Sequence, residues 1–153
     1  MANSYSQIYI QSVFVVKHRK ALISPEWKEE LCRVIGNLIN QNNCKSLIVN
    51  GVEDHIHCFY ILKPSVSVAE VVRNVKSKSS KWINESNLTF GKFEWQAGHG
   101  SFSYSDRDLE MIINYIKKQE EHHRKRSFRE EYKALLNELD IEFDDRFIFQ
   151  EPK

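Results

Sequence analysis

Two histidines, His55 and His57, are the residues whose types and spacing most directly suggest chemistry in this sequence. They belong to the stretch 52–62, Val-Glu-Asp-His-Ile-His-Cys-Phe-Tyr-Ile-Leu, which has the pattern of a β-strand. Residues two apart in a strand point to the same face, so both imidazoles should stand side by side. Neutral imidazoles are common ligands of divalent metals. The pair therefore predicts either part of a metal site or two half-buried structural histidines.

A second pair, Tyr115 and Gln119, is four residues apart in a segment predicted to be the third helix, so both should lie on one helix face. A phenol with an ordinary pKa of about 10 is a poor nucleophile, but it can form a covalent intermediate when activated. The amide oxygen of Gln119 is a hard ligand that suits Mg²⁺ or Mn²⁺. The spacing alone is equally typical of an exposed helix face.

Hydrophobic periodicity predicts the elements that position these residues. Helices are predicted to start at Ser24-Pro25, Ser67 and Ser105-Asp106, and a fourth to span about 128–139. Strands are predicted at 5–17, 46–52, 52–62 and 93–104. This order predicts an α+β fold: a ferredoxin-like antiparallel sheet with helices on one face, plus C-terminal helices carrying the tyrosine. The opposite sheet face is expected to be free for ligands.

Two places leave the local geometry open. Asn50-Gly51 is typical of a tight hairpin, but a bulge fits there equally well. Gly98 and Gly100 interrupt the predicted strand 93–104, which indicates a bulge or the close approach of another part of the chain.

The length of 153 residues fits a single domain over 1–153, and a hydrophobic fraction of 41% is ordinary for a globular protein. There is no apolar run near the roughly 20 residues that a membrane span requires. Residues 1–4, Met-Ala-Asn-Ser, lack the basic flank and apolar core of a secretory signal, so a cytoplasmic location is expected. The three cysteines have no metal-like spacing and are interpreted as reduced.

A net charge of +1 hides an uneven distribution of charge. One basic cluster follows the first predicted strand at 17–20, another lies on the second helix, and a third spans 122–126. A basic, hydroxyl-rich surface can line a phosphate backbone, although an ordinary solvated surface explains each cluster equally well. The residues predicted to contact DNA are Lys17, Arg19, Lys20, Arg73, Lys76 and Lys78.

Taken together, these features resemble the single-tyrosine HUH transposases, the smallest insertion-sequence transposases and their REP-associated relatives. The resemblance covers nearly the whole chain, and it is the order of several individually unspecific motifs that carries it. The motifs are Phe-Val-Val-Lys-His-Arg-Lys at 14–20, His-Ile-His at 55–57, Lys-Ser-Lys-Ser-Ser at 76–80, Trp-Gln-Ala-Gly-His-Gly at 95–100 and Tyr-Ile-Lys-Lys-Gln-Glu at 115–120.

The resemblance implies roles for four residues. His55 and His57 match the family's metal-binding histidines, Gln119 matches the third ligand of Mg²⁺ or Mn²⁺, and Tyr115 matches the nucleophile. The implied reaction is attack of Tyr115 on a scissile phosphate in single-stranded DNA, which leaves a 5′-phosphotyrosine and a free 3′-hydroxyl and is followed by rejoining during transposition. Residues 51–54, Gly-Val-Glu-Asp, depart from the Met-Pro-Asp-like segment of many relatives, a departure expected to touch no ligand.

The resemblance also implies partners. Relatives are homodimers, commonly with the tyrosine helix of one subunit serving the histidines of the other, and they bind imperfect hairpins near the ends of the mobile element. We therefore expect a homodimer that acts in the bacterial cytoplasm, at the nucleoid, on single-stranded DNA with hairpins, and no membrane partner. The third and fourth predicted helices, with the sheet edge, are expected to contribute to a two-fold interface.

Three alternatives remain open at the level of sequence. A metal-dependent nuclease could use water and leave Tyr115 in a packing role, and a covalent protein–DNA adduct separates the two. A non-catalytic module could bind single strands through aromatic residues, but no paired stacking motif is present on the strands and the histidines would be unexplained. A domesticated relative could act on repeated hairpin DNA without being mobile.

Overall fold

The computed structural model describes residues 4–146 and 148–153. Residues 1–3, which belong to the N-terminal stretch considered above as a possible secretory signal, lie outside the described part. None of the described helices combines the length and apolar character that crossing a membrane requires.

The centre of the fold is a four-stranded antiparallel sheet in the order β2-β3-β1-β4. Its strands are β1 (Tyr9–Val15), β2 (Lys45–Gly51), β3 (His55–Ile61) and β4 (Gly100–Tyr104). The β-α-β-β-α-β order and the central position of β1 confirm the predicted ferredoxin-like arrangement. The register of β1 against β3 places Val15 opposite His55 and Val13 opposite His57.

Two helices, α1 (Pro25–Gln41) and α2 (Val68–Glu85), cover one sheet face. Both begin as the sequence predicts, because the Ser24 and Ser67 hydroxyls accept hydrogen bonds from backbone N–H groups of the first turn. They pack on side chains that alternate along β1 and β3 and form the larger core. These strand residues are Ile10, Phe14, Ile56, Cys58 and Tyr60.

The opposite sheet face is also covered, by α3 (Leu109–Lys117), α4 (Gln119–Lys125) and α5 (Phe128–Glu138). The prediction that this face is free for ligands is therefore wrong. The physical reason is that β1 and β3 carry apolar side chains on this face as well, Val13, Val15 and Phe59 among them, and these must also be buried. The tyrosine lies on α3, so the C-terminal helices carry it, as predicted.

Local geometry settles the two places that the sequence left open. Asn50 and Gly51 both belong to β2, the hairpin turn lies at 52–54, and the register shift occurs between Ser46 and Ile48. Gly51 is required because a Cβ there would collide with the His55 carbonyl oxygen. The predicted strand 93–104 forms in part: β4 covers its second half, and an isolated bridge joins Trp95 to Val16. Gly98, which lies between Trp95 and β4, adopts a φ of +82° that favours glycine.

Candidate active site

The strand β3 places His55 and His57 on the same face, as predicted, with ring centroids 5.0 Å apart. Both rings are almost completely buried, at 0% and 2% exposure, beneath the three C-terminal helices. Burial and then the neighbouring His55 lower the pKa of His57 well below its usual range. A neutral imidazole keeps a lone pair, which is the form that binds a metal.

Each histidine is held by an oxygen acceptor through its Nδ1 atom. His55 Nδ1–H donates to Asp54 Oδ1 at 2.7 Å, and His57 Nδ1–H donates to Gln11 Oε1 at 2.7 Å. With the proton on Nδ1, the Nε2 atom of each ring carries the lone pair. Carboxylate and amide partners of this kind fix the ring orientation of metal-binding histidines.

Gln119 completes a group of three lone-pair atoms. Its Oε1 lies 2.9 Å from His55 Nε2, its side chain is fully buried, and its Nε2 donates to the Tyr115 carbonyl at 3.5 Å. His57 Nε2 is also buried and has no hydrogen-bond partner among the residues that the structure describes. Acceptors that face one another without a donor are costly unless a cation lies between them. The three predicted ligands therefore fit a divalent metal.

The helix that was predicted to carry both Tyr115 and Gln119 is interrupted between them. The prediction that one helix carries both residues is therefore wrong. The helix α3 ends at Lys117, Lys118 has φ −98° and ψ 26°, and α4 begins at Gln119. The break directs Gln119 inward toward His55, whereas Lys118 remains exposed. Tertiary packing has overridden a local sequence that contains no helix-breaking residue.

Tyr115 lies beside the histidine pair and borders a cavity. Its ring centroid is 5.9 Å from that of His57, and the ring stacks on His122 with centroids 4.6 Å apart. The cavity, of about 260 Å³, is also lined by Gln11, Tyr104 and Glu131. The tyrosine is thus half-buried rather than sealed, which leaves room for a second reactant.

A family model described as "Transposase IS200 like" matches residues 4–119, a span that runs through β1, both histidines and Tyr115 to Gln119. This chain belongs to the IS200-like transposase family. Proteins of this family are transposases, which implies an enzyme that cuts DNA and transfers strands.

Two solved structures are similar to this IS200-like chain. A protein of Deinococcus radiodurans described as a transposase has a TM-score of 0.59 at 16% identity, covering 78% of this chain and 96% of its own. A REP-associated tyrosine transposase, solved bound to a REP hairpin, has a TM-score of 0.59 at 13% identity, covering 80% of this chain and 73% of its own. At these identities the likeness shows the fold. No curated protein sequence matches this chain.

Several contacts of this transposase's site were not predicted from the sequence. Gln11 could have been noticed because it and Ser12 are the two polar residues that interrupt the apolar residues of β1, and both are buried. Asp54 belongs to the segment 51–54, for which no role in the site was predicted, and it contacts His55 directly. From α5, Phe128 stacks on His55 with centroids 4.0 Å apart and closes the site.

Behind Asp54 lies a further histidine. His123 Nδ1 is 4.0 Å from Asp54 Oδ1, and His123 Nε2 is 3.4 Å from Glu53 Oε1. The ligand atoms of Asp54, His55 and His123 all lie within 4.8 Å of one another, a grouping that could hold a metal ion. His55 Nδ1 already donates a hydrogen bond to Asp54, so it is not free to bind a metal on that side. Asp54 and His123 are therefore better suited to orienting the His55 ring, and the metal site is assigned to the Nε2 side.

The six basic residues predicted to contact DNA fall into two clusters and differ in their surroundings. Lys17, Arg19 and Lys20 are exposed after β1, and Arg73 and Lys78 are exposed on α2. Lys76 is half-buried, and its Nζ donates to the carbonyls of Gln96 and Gly98 at 2.7 and 2.8 Å, so it holds a loop. Since Lys17 also contacts Glu94, both clusters border the segment 94–98.

Proposed function

We propose that this protein is a DNA transposase that cuts and rejoins single-stranded DNA, with Tyr115 as nucleophile and a metal ion held by His55, His57 and Gln119. One observation carries the proposal: three buried lone-pair atoms converge beside a tyrosine that borders a cavity. Family membership supplies the reaction class.

The proposed cleavage step exchanges one bond for another at phosphorus. The Tyr115 phenolate oxygen forms a bond to the scissile phosphorus while the bond from phosphorus to the 3′ oxygen breaks. The departing oxygen takes a proton to become a 3′-hydroxyl, and the 5′ end stays attached as a phosphotyrosine. Attack by a 3′-hydroxyl reverses these changes and frees the phenol, so no nucleotide cofactor is required.

The chain's own residues prepare this step. His55, His57 and Gln119 would hold Mg²⁺ or Mn²⁺, which supplies a Lewis acid for the phosphate oxygens when bound. Asp54 and Gln11 keep the imidazoles oriented. The sheet below and Phe128 above exclude water from the ligand atoms.

Single-stranded DNA carrying a hairpin is the proposed substrate, and the REP hairpin bound by the similar structure supports it. We expect cleavage of single-stranded hairpin DNA and none of fully duplex DNA of the same sequence. Replacing Arg73 and Lys78 together with alanine should weaken binding. It should also reduce the slope of log affinity against log salt concentration by about 1.4, because each of the two lost phosphate contacts to single-stranded DNA contributes about 0.7. Fluorescence anisotropy at several salt concentrations measures this, alongside a cleavage assay.

The matched control is Lys45→Ala, which removes an exposed charge from β2, at the edge of the sheet. Its affinity and salt slope should equal those of the wild type. Equal cutting of duplex and single-stranded DNA would rule out the proposed substrate. An unchanged salt slope in the double variant would remove Arg73 and Lys78 from the DNA surface.

We propose a homodimer in which each chain supplies a complete site, because Gln119 contacts His55 of its own chain at 2.9 Å. Heterodimers of His57→Ala and Tyr115→Phe chains should then remain inactive, since each site keeps one defect. The assay mixes the two variants, demonstrates heterodimer formation with two affinity tags, and measures cleavage. Recovered cleavage would instead mean that the tyrosine of one subunit serves the histidines of the other.

The proposed setting is the cytoplasm, on chromosomal DNA. A domesticated relative acting on repeated hairpin DNA would use the same residues and the same chemistry. Inverted repeats able to form hairpins on both sides of the gene would favour a mobile element.

A further inference from the structure

Glu131 is a buried acid that the proposed reaction does not use. It lies on α5 at 4% exposure, and neither carboxylate oxygen has a hydrogen-bond partner within the described part of the chain. Burial raises the pKa of Glu131, whereas the nearby His55 lowers it and Asp54 raises it. A buried carboxyl group with two unsatisfied oxygens is costly, so its presence requires a physical reason.

The position of Glu131 directs it at the proposed metal site. It follows Phe128 by three residues on α5, so both lie on one helix face, and Phe128 stacks on His55. Glu131 also lines the cavity that contains Gln11 and Tyr115. It therefore approaches the histidines from the side opposite the sheet.

Charge explains why an acid is useful there. The ligands His55, His57 and Gln119 are all neutral, so a dication would bring a charge of +2 into a site closed to water. One acidic group already lies directly behind a ligand, because Asp54 Oδ1 accepts the hydrogen bond of His55 Nδ1–H at 2.7 Å. A second carboxylate would bring the acidic charge to −2 and balance the ion.

We infer that Glu131 supplies the second negative charge of the metal centre, stabilising the bound dication from α5. This inference rests on the proposed function, because it presupposes the metal site at His55, His57 and Gln119. It also explains why a carboxyl group can remain buried without protein partners: the cation is its partner. The family model ends at Gln119, so Glu131 and all of α5 lie beyond the matched span.

Glu131→Gln tests the inference, because it keeps the shape and removes the charge. In Mn²⁺ titration calorimetry of the full chain, the affinity should fall roughly 10- to 100-fold. Glu130→Gln, at the exposed neighbouring position on α5, is the matched control and should bind Mn²⁺ like the wild type. Glu131→Asp keeps the charge and should bind more tightly than Glu131→Gln, and equal affinities of these two variants would overturn the inference.

Thermal unfolding without metal gives an independent readout. Glu131→Gln should unfold at the same or a higher temperature than the wild type, because it removes a buried carboxyl group that lacks partners. A clear loss of metal-free stability would instead indicate a structural role and overturn the inference.

His57→Ala separates the two proposals in the same titrations. Wild-type Mn²⁺ affinity in Glu131→Gln, together with lost affinity in His57→Ala, would overturn the role of Glu131 alone. Wild-type affinity in His57→Ala would overturn the proposed metal site itself, and the role of Glu131 with it.

Discussion

Tyr115→Phe is expected to abolish the covalent protein–DNA adduct and to lower the cleavage rate by more than about a thousandfold, while DNA binding and folding survive. The substitution removes one oxygen and keeps the ring. The contacts of that ring with His57 and His122, at 5.9 and 4.6 Å between centroids, do not depend on the hydroxyl group. Only the atom proposed to attack phosphorus is lost.

The measurement uses labelled single-stranded hairpin DNA and Mn²⁺, followed by denaturation in detergent and peptide mapping. Wild-type protein should carry DNA on the peptide that contains Tyr115. Tyr104→Phe is the matched control, because Tyr104 lines the same cavity, and it should still form the adduct. DNA on another residue, or cleavage with no adduct at all, would favour a nuclease that uses water.

Three of the other tyrosines, Tyr60, Tyr104 and Tyr132, are poorer candidates for structural reasons. Tyr60 lies on the opposite sheet face among residues packed by α1 and α2, and burial raises its pKa further above its ordinary value. Burial also raises the pKa of Tyr132 and of Tyr104, which makes their phenolates harder to form. A metal beside His57 would act in the other direction on Tyr115, because a nearby cation favours the charged phenolate.

Local periodicity was enough to predict the parts of the site that depend on neighbours in the chain. The spacing of His55 and His57 within one strand determines that they share a face, whatever the strand pairs with. The start of α1 at Ser24-Pro25 and that of α2 at Ser67 likewise depend on side chains within one helical turn. These predictions were therefore confirmed by the structure.

The remaining parts depend on contacts between distant segments. Gln11 reaches His57 only because β1 and β3 pair in a particular register, which no local pattern specifies. The break at Lys118 accompanies the burial of Gln119 against His55, and the basic run 122–126 then lies in the last turn of α4 and at its C-cap, Arg126. The burial of the histidines beneath α5 could not be predicted either, because it depends on where Phe128 packs against the sheet.

His57→Ala is expected to abolish metal-dependent cleavage and to reduce Mn²⁺ affinity by at least about a hundredfold. Hairpin binding should remain close to that of the wild type. The substitution removes one of three converging lone pairs, the buried Nε2 atom that has no partner in the described residues. DNA binding should persist because the phosphate contacts are proposed for exposed basic residues after β1 and on α2, and not for the buried site.

Cleavage rate, Mn²⁺ titration and hairpin binding should be measured on the same preparation, with circular dichroism to confirm folding. His99→Ala is the matched control, since it removes an exposed imidazole outside the cluster and should leave the metal affinity unchanged. Wild-type cleavage by His57→Ala in the presence of a chelator would exclude the metal site. A buried ligand beneath α5 is not expected to contact the DNA backbone directly. Loss of both cleavage and hairpin binding in a folded protein would therefore contradict the proposed metal role and assign His57 to the DNA interface instead.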